Sequence, residues 1–284
     1  MGCLNSNENF THWFGNIHLS GPCNRSCYFC IGQHMMSLDP INNLNQWPMP
    51  GLDEFIEQCI QKNVTDINVT GTNTDPLLYK HMWKLKNVLQ SKIPDLKFGI
   101  RTNGVLFESK PEIVQLFDKG SITICSLDSD IYKKMMGNGS VPDIWKIANL
   151  AFSLGWNDIK INIVLGPENL EDLSNTLKKL STVEGLYRVN LREPYGQSRI
   201  GNPFGTKAPD YLTMGMPTYI IDNLDVTYWD VHYVEVESVN LYANGHVSKT
   251  YPITLGHDPI NGKVLDQSNF GRGRHQKQWL KVLQ

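Results

Sequence analysis

Three cysteines lie within eight residues near the start of the chain, at Cys23, Cys27 and Cys30. Cysteine thiolates in short loops hold iron–sulfur clusters, and three of them can bind three irons of a four-iron cube. The fourth iron then stays open to another ligand. A structural zinc site is the alternative, with His34 as the fourth ligand, because zinc sites close with four Cys or His ligands.

The other three cysteines have no such pattern. Cys59 falls on the apolar face of a helical pattern and Cys125 within an apolar strand, so both are predicted to be inert core residues. No cysteine follows Cys125, and we therefore expect one cluster only. Half of the thiols crowd into one loop, which is typical of a metal site in a reducing cytosol rather than of a secreted disulfide scaffold.

The elements that must position this loop alternate between strand-like and helix-like patterns from about residue 14 to residue 192. Strands are predicted at residues 16–20, 66–70, 96–102, 121–127, 159–165 and 186–191. Helices are predicted at residues 52–62, 76–90, 111–118, 130–136, 142–154 and 170–180. This alternation predicts parallel strands with right-handed crossovers, in a partial TIM-type (βα)6 barrel or an open doubly wound sheet. Reactive groups in such barrels lie at the C-terminal ends of the strands, where the cysteine loop falls.

The alternation stops near Arg192, and a Gly/Pro-rich segment follows at residues 194–217. A β-rich tail follows, with strands at residues 231–236, 239–242 and 247–251. We therefore divide the chain into a polar N-terminal segment, a core and a small β-rich C-terminal extension, at residues 1–13, 14–200 and 201–284.

Five polar motifs lie on, or directly after, the second to sixth predicted strands. They are Gly71-Thr72-Asn73-Thr74-Asp75-Pro76, Arg101-Thr102-Asn103-Gly104, Ser126-Leu127-Asp128-Ser129, Lys160-Ile161-Asn162 and Arg192-Glu193. Each motif alone is weak evidence for a ligand site, since Asn-Gly turns and capping aspartates are common. Asp75 before Pro76 also fits a plain helix start, and Arg192-Glu193 also fits a surface turn.

The cysteine spacing, with Phe29 just before the last cysteine, resembles the radical S-adenosylmethionine (SAM) superfamily. The later motifs are similar to those of its molybdenum-cofactor-biosynthesis members, over residues 14 to about 200. The resemblance implies a [4Fe-4S] cluster whose open iron binds SAM. It also implies reductive cleavage of SAM to a 5′-deoxyadenosyl radical that abstracts hydrogen from an organic substrate. One glycine and Asp75 stand where many members have Gly-Gly-Glu-Pro.

The resemblance also assigns roles to individual residues. The cluster ligands, which are also the catalytic residues, would be Cys23, Cys27 and Cys30. The residues that seat SAM would be Phe29, Gly71, Thr72, Asn73, Ser126, Asp128, Asn162 and Arg192. The tail is similar to a degenerate, cysteine-free SPASM/twitch-like domain.

The implied reaction is a rearrangement, cyclisation or epimerisation, on a small-molecule or nucleotide-type substrate, a modified nucleobase included. A flavodoxin- or ferredoxin-like protein would donate the electron. A peptide-modifying enzyme with one cluster, a cluster-containing sensor or antiviral-type protein, and a non-catalytic zinc-stabilised α/β binding protein remain the alternatives.

Composition restricts the partners. The chain has 284 residues, 40% of them hydrophobic and 19% charged, with a net charge of −2. So small a charge gives no global field to recruit nucleic acid. The basic stretch at residues 271–279 favours a solvated face over a nucleic-acid contact. No apolar run approaches a membrane span, and the polar N-terminus is unlike a signal peptide, so we expect a cytoplasmic protein without a membrane partner.

Overall fold

The structure is a computed structural model that describes residues 13–32, 41–194, 200–229 and 237–249. Its helices are α1 (Leu52–Gln61), α2 (Met82–Lys92), α3 (Pro111–Val114), α4 (Ser129–Met136), α5 (Ile144–Ser153) and α6 (Leu173–Leu180). The strands within the predicted core are β1 (Phe14–Leu19), β2 (Asp66–Gly71), β3 (Lys97–Thr102), β4 (Lys119–Thr123), β5 (Asp158–Val164) and β6 (Arg188–Arg192). The later strands are β7 (Tyr211–Thr213), β8 (Met216–Ile221), β9 (Leu224–Trp229), β10 (Ser238–Leu241) and β11 (Val247–Ser248).

The described strands form one sheet of eleven, in the order β11-β10-β1-β2-β3-β4-β5-β6-β9-β8-β7. The pairs from β10 through β1 to β6 and β9 are all parallel. This confirms the predicted parallel α/β core. The sheet is not closed, because β1 pairs with β10 and β6 pairs with β9. The strands of the extension thus continue the core sheet at both of its edges.

The two faces of the sheet differ sharply in polarity. In β5, Ile159, Ile161 and Ile163 are buried in the main apolar core, whereas Lys160 and Asn162 face cavities on the other side. Successive side chains of a strand point to opposite faces, so each strand can present one apolar and one polar row. We call the face that carries Lys160 and Asn162 the inner face. It is free to bind ligands, whereas the interior of a closed barrel is filled by layers of apolar side chains.

The helix predicted at residues 111–118 ends at Val114, and the helix predicted at residues 76–90 is also wrong in its extent. Residues 76–90 form a 3₁₀ turn, Pro76–Leu78, and a separate helix, α2, with Tyr79 extended between them. The Tyr79 hydroxyl donates to the Gln46 carbonyl, and the Lys80 N–H donates to the Leu44 carbonyl. These contacts with a distant segment compete with continuous helix, and periodicity alone cannot reveal them.

The Gly/Pro-rich segment at residues 194–217 contains β7 and the first two residues of β8, Met216 and Pro217. The described helices include none with the length and apolar character that a membrane span needs.

Candidate active site

The cysteine loop, residues 23–30, follows β1 and packs against the C-terminal end of α4. The backbone N–H groups of Ser26 and Tyr28 donate to the carbonyls of Met136 and Met135, at 3.3 and 3.2 Å. The last carbonyls of a helix have no partner within the helix. The loop thus satisfies these carbonyls, and the helix end fixes the position of the loop.

Two further contacts hold the same loop. Gly137 ends α4 with a φ of 81°, and a Cβ there would lie 2.1 Å from the Ser26 Oγ. Only glycine allows this close approach together with this left-handed backbone. On the other side, Arg25 donates from Nε to the Tyr132 hydroxyl at 3.1 Å and from a terminal nitrogen to the Ser140 carbonyl at 3.2 Å. These contacts, together with the hydrogen bonds to α4, hold the loop in place along its length.

The three thiols lie close enough together to influence one another's ionisation. Burial raises the pKa of Cys27 to about 12, and the charges of Cys30 and Cys23 add to this rise. The Cys27 thiol is therefore protonated at neutral pH in the protein alone. Metal binding replaces such thiol protons, because only thiolates are good ligands.

No group of three His, Cys, Asp or Glu side chains in the described ranges converges as a single metal ion requires. In a four-iron cluster each thiolate binds its own iron, so the sulfur atoms stand further apart than around one ion. The three thiols line one cavity and influence one another's pKa, so their arrangement suits a cluster. His34, the fourth ligand of the zinc alternative, lies outside the described residues.

The residues after β2 connect this strand to the base of the cysteine loop. The Thr72 N–H donates to the Leu19 carbonyl at 2.8 Å. The Asn73 Oδ1 accepts from the Ser20 hydroxyl at 2.8 Å and from the Gly21 N–H at 3.0 Å. Asn73 therefore fixes the exit of β1, a role that adds to the predicted one at SAM.

Asp75 joins the ends of β2 and β3. Its carboxylate accepts from the Leu77 N–H at 3.0 Å, the Thr102 hydroxyl at 2.6 Å and the Asn103 N–H at 2.8 Å. Burial raises its pKa above the usual range, and these three hydrogen bonds oppose the rise. The carboxylate is both the cap of the 3₁₀ turn and the link between two site-forming motifs.

These elements enclose a cavity of about 450 Å³ at the C-terminal ends of the strands. That volume is within the range of small-ligand sites. The cavity is lined by nine of the predicted site residues, namely Cys23, Cys27, Phe29, Cys30, Gly71, Thr72, Asn73, Asn162 and Arg192.

Three of the lining residues are positioned by neighbours from different elements. Phe29 packs in a small apolar cluster with Tyr132 and Met135 of α4, so its ring also anchors the loop. Asn162 extends from β5 and accepts from the Asn190 amide at 3.3 Å. The third, Arg192, lies at the end of the neighbouring strand β6.

Ser126 and Asp128 do not line this cavity. The Ser126 hydroxyl is buried, donates to Asp172 at 2.5 Å and accepts from the Asp128 N–H at 2.8 Å. The Asp128 carboxylate caps α4 by accepting from the N–H groups of Asp130 and Ile131. Both residues thus position the helix that holds the cysteine loop, and this geometry lends no support to their predicted contact with SAM.

The end of β6 is not a surface turn. The Glu193 carboxylate is buried and accepts from the Gly201 N–H at 2.7 Å and the Tyr228 hydroxyl at 2.6 Å. The Arg192 guanidinium lies 5.8 Å from the centre of the Trp229 ring, and its buried Nε has no hydrogen-bond partner among the described residues. Arg192 therefore retains a donor for a ligand.

His18, which was not predicted as a site residue, lines the cavity from β1. Its Nε2 lies 3.4 Å from the Asn240 Oδ1, and its ring stacks on Tyr242 at 4.7 Å. Burial lowers the pKa of His18 to about 3; the hydrogen bond to Asn240 opposes this shift and the charge of Arg101 adds to it. The imidazole is therefore neutral at physiological pH. Its alternation with Ile17 and Leu19 along β1 was the available signal.

Several predictions fall outside the described residues. They concern residues 1–12 of the N-terminal segment, the turn at residues 195–197, the strand at residues 231–236, the end of the strand at residues 247–251 and the basic stretch at residues 271–279.

The family model for the radical SAM superfamily matches residues 17–180, more than half of the chain. The chain belongs to the radical SAM superfamily. Enzymes of this family use a [4Fe-4S] cluster and SAM, so the predicted enzyme class and both cofactors are confirmed. In this radical SAM enzyme, the residues that would hold the cluster are Cys23, Cys27 and Cys30.

The curated relatives that match include GTP 3′,8-cyclases. A probable GTP 3′,8-cyclase of Methanopyrus kandleri is 23% identical over 183 residues, which cover 63% of this chain and 56% of that protein. The GTP 3′,8-cyclase of Alkaliphilus metalliredigens is 25% identical over 172 residues, 56% of this chain and 50% of that protein. The chain thus spans about half the length of these relatives.

Among solved structures, Streptococcus suis SuiB bound to the precursor peptide SuiA aligns with a TM-score of 0.58 at 17% identity. The alignment covers 88% of this chain and 62% of that one. SuiB bound to S-adenosylmethionine aligns with a TM-score of 0.54 at 16% identity, over 89% of this chain and 61% of that one. These similarities support the fold.

The turn after β2 provides a direct test of the SAM site. A Cβ on Gly71 would lie 1.7 Å from the Thr74 carbonyl oxygen, a backbone atom that cannot move without opening the turn. We expect Gly71→Ala to cost about 1–3 kcal/mol of stability and to weaken SAM binding, as measured by thermal denaturation and calorimetry. Gly155→Ala is the control, because a Cβ there meets no atom within 4 Å and only its φ of 90° adds strain. Unchanged SAM affinity in Gly71→Ala would place SAM elsewhere.

Proposed function

We propose that this enzyme reductively cleaves SAM and abstracts a hydrogen atom from a small organic substrate. The substrate class that we favour is a nucleotide or a modified nucleobase. The observation that carries this proposal is the shared cavity at the C-terminal strand ends. It is lined both by the three thiols and by polar residues from four strands or the turns after them, such as His18, Thr72, Asn162 and Arg192.

Different residues of the chain have different roles in this proposal. When bound, the cluster and SAM supply an electron and a cleavable carbon–sulfur bond, and thus the 5′-deoxyadenosyl radical that removes hydrogen. The turn after β2 offers backbone groups for SAM, held by Asn73 and Asp75. A reduced flavodoxin- or ferredoxin-like protein is the proposed electron donor.

Two observations support a nucleotide-type substrate. The curated relatives are named GTP 3′,8-cyclases, although the chain spans about half of their length. The inner face of the sheet carries several cationic side chains, which suit a phosphate-bearing compound better than an apolar peptide segment.

The test is anaerobic SAM cleavage with and without nucleotides. Protein reconstituted with iron and sulfide, reduced with dithionite and given SAM should form 5′-deoxyadenosine. Addition of a nucleoside triphosphate should increase its rate of formation, and a nucleotide-derived product should appear. No increase with any of the four common nucleoside triphosphates would contradict the substrate class, while the basal reaction would still support SAM cleavage.

A further inference from the structure

The turn that follows β3 places a side-chain amide beside the first cysteine of the loop. The Asn103 Nδ2 lies 3.9 Å from the Cys23 Sγ and donates to the Asn24 Oδ1 at 2.7 Å. An asparagine amide nitrogen carries two hydrogens, so it can donate to the oxygen and to the sulfur at the same time. This amide is not among the predicted contacts with SAM.

Two hydrogen bonds of Asn103 fix the direction of its amide. Its Oδ1 accepts from the Val105 N–H at 3.1 Å, which is the usual bond of an asparagine side chain to the backbone two residues further on. Its backbone N–H donates to the buried carboxylate of Asp75 at 2.8 Å. Because the amide oxygen is held by a backbone donor, it is the amide nitrogen that faces the cysteine loop.

Other donors also surround the Cys23 sulfur. The backbone N–H groups of Arg25 and Asn24 hydrogen-bond to this sulfur and favour its thiolate form. The side chain of Asn24 has a further donor, Nδ2, which is buried and has no hydrogen-bond partner among the described residues. Surroundings so rich in donors suit a thiolate that binds iron, because its sulfur still accepts hydrogen bonds.

The contacts that the thiols make as donors have the opposite polarity. Their sulfur–oxygen distances are 3.6, 3.9 and 3.7 Å, for Cys23 to the Asn24 Oδ1, Cys27 to the Met136 carbonyl and Cys30 to the Thr72 carbonyl. Iron replaces the thiol protons, so these three contacts are lost when a cluster binds. The contact from Asn103 to Cys23 is retained instead, and the negative charge of the thiolate strengthens it.

We propose that Asn103 raises the reduction potential of the cluster by donating a hydrogen bond from its Nδ2 to the Cys23 ligand sulfur. Reduction adds negative charge to a cluster and its sulfur ligands, so a hydrogen bond to sulfur stabilises the reduced form more than the oxidised one. The cluster is then easier for a protein donor to reduce. Asn103 is thus a positioning residue, which acts on the electron-transfer step through a ligand and not by touching SAM.

A redox titration of the reconstituted protein without SAM, followed by electron paramagnetic resonance, tests this role. Asn103→Ser keeps an oxygen that can accept from the Val105 N–H but lacks the amide donor. At the midpoint potential of the unchanged protein, we expect its ratio of reduced to oxidised cluster to be lower by about threefold or more. Asn103→Asp should lower the ratio further, because it adds a negative charge beside the sulfur. Ser109→Ala is the control, since the exposed Ser109 donates only within its own turn, to the Leu106 carbonyl.

Three results would overturn the proposal. The first is an unchanged or higher ratio in Asn103→Ser with about four irons per chain. The second is a smaller fall in Asn103→Asp than in Asn103→Ser. The third is loss of iron from both variants, which would mean that Asn103 holds the loop and does not tune the cluster. The titration needs neither SAM cleavage nor a nucleotide, so its outcome is independent of the proposed function.

Discussion

Cys27→Ala is expected to reduce 5′-deoxyadenosine formation to background and to lower the iron content of the reconstituted protein. Cys27 is the middle ligand of the loop, and its pKa is raised both by burial and by the other two thiols, so it lies within their cluster. Two remaining thiolates cannot hold three irons, and the site that orients SAM is lost with the cluster.

Cys59→Ala is the matched control for this variant. Cys59 is a buried cysteine on α1 that packs in the main core, away from the cysteine cavity. Its loss should cost about 1 kcal/mol of stability and leave iron content and 5′-deoxyadenosine formation unchanged. Equal loss of product in both variants, or full activity of Cys27→Ala, would contradict the assignment of the cluster ligands.

The second large effect is expected for Asp75→Asn. The three groups that face the Asp75 carboxylate are all donors, from Leu77, Thr102 and Asn103. An asparagine amide would place its own N–H₂ against at least one of them and leave a buried donor without a partner. We expect a loss of about 2–4 kcal/mol in the free energy of unfolding, together with weaker SAM binding.

Chemical denaturation and calorimetric SAM titration would measure both effects. Asp53→Asn is the control, since Asp53 is exposed in the first turn of α1, and it should change stability by less than about 0.5 kcal/mol. If Asp75→Asn were as stable as this control, the carboxylate would not link the ends of β2 and β3.

The core of the fold and most of the cavity could be predicted from sequence, because both depend on local patterns. Alternating apolar residues mark β2 and β5; a polar motif directly follows β2, and another lies within β5. Parallel strands place their C-terminal ends at one edge, so motifs that are distant in sequence meet there. This is why Thr72 and Asn162, ninety residues apart, line one cavity.

Long-range pairing could not be predicted in the same way. β10 pairs with β1 over a sequence separation of more than two hundred residues, and β9 pairs with β6 across the Gly/Pro-rich segment. Strand formation there depends on a partner that is set by the tertiary fold, not by local propensity.

The contact of Ser126 with SAM is implied by the family resemblance, which matches the end of a strand predicted at residues 121–127. β4 ends at Thr123, and the Ser126 hydroxyl is turned toward Asp172 instead. The alternation within Lys160-Ile161-Asn162 is visible in the sequence, but the position of Lys160 beside Ser121 and Arg188 is set by the strand register.

The most direct test of the central claim is one anaerobic sample in which iron and 5′-deoxyadenosine are both quantified. Protein reconstituted with iron and sulfide should be brown, contain about four irons per chain and convert SAM to 5′-deoxyadenosine when reduced with dithionite. A colourless protein with stoichiometric zinc would contradict the account. An intact cluster that forms no 5′-deoxyadenosine would equally contradict it.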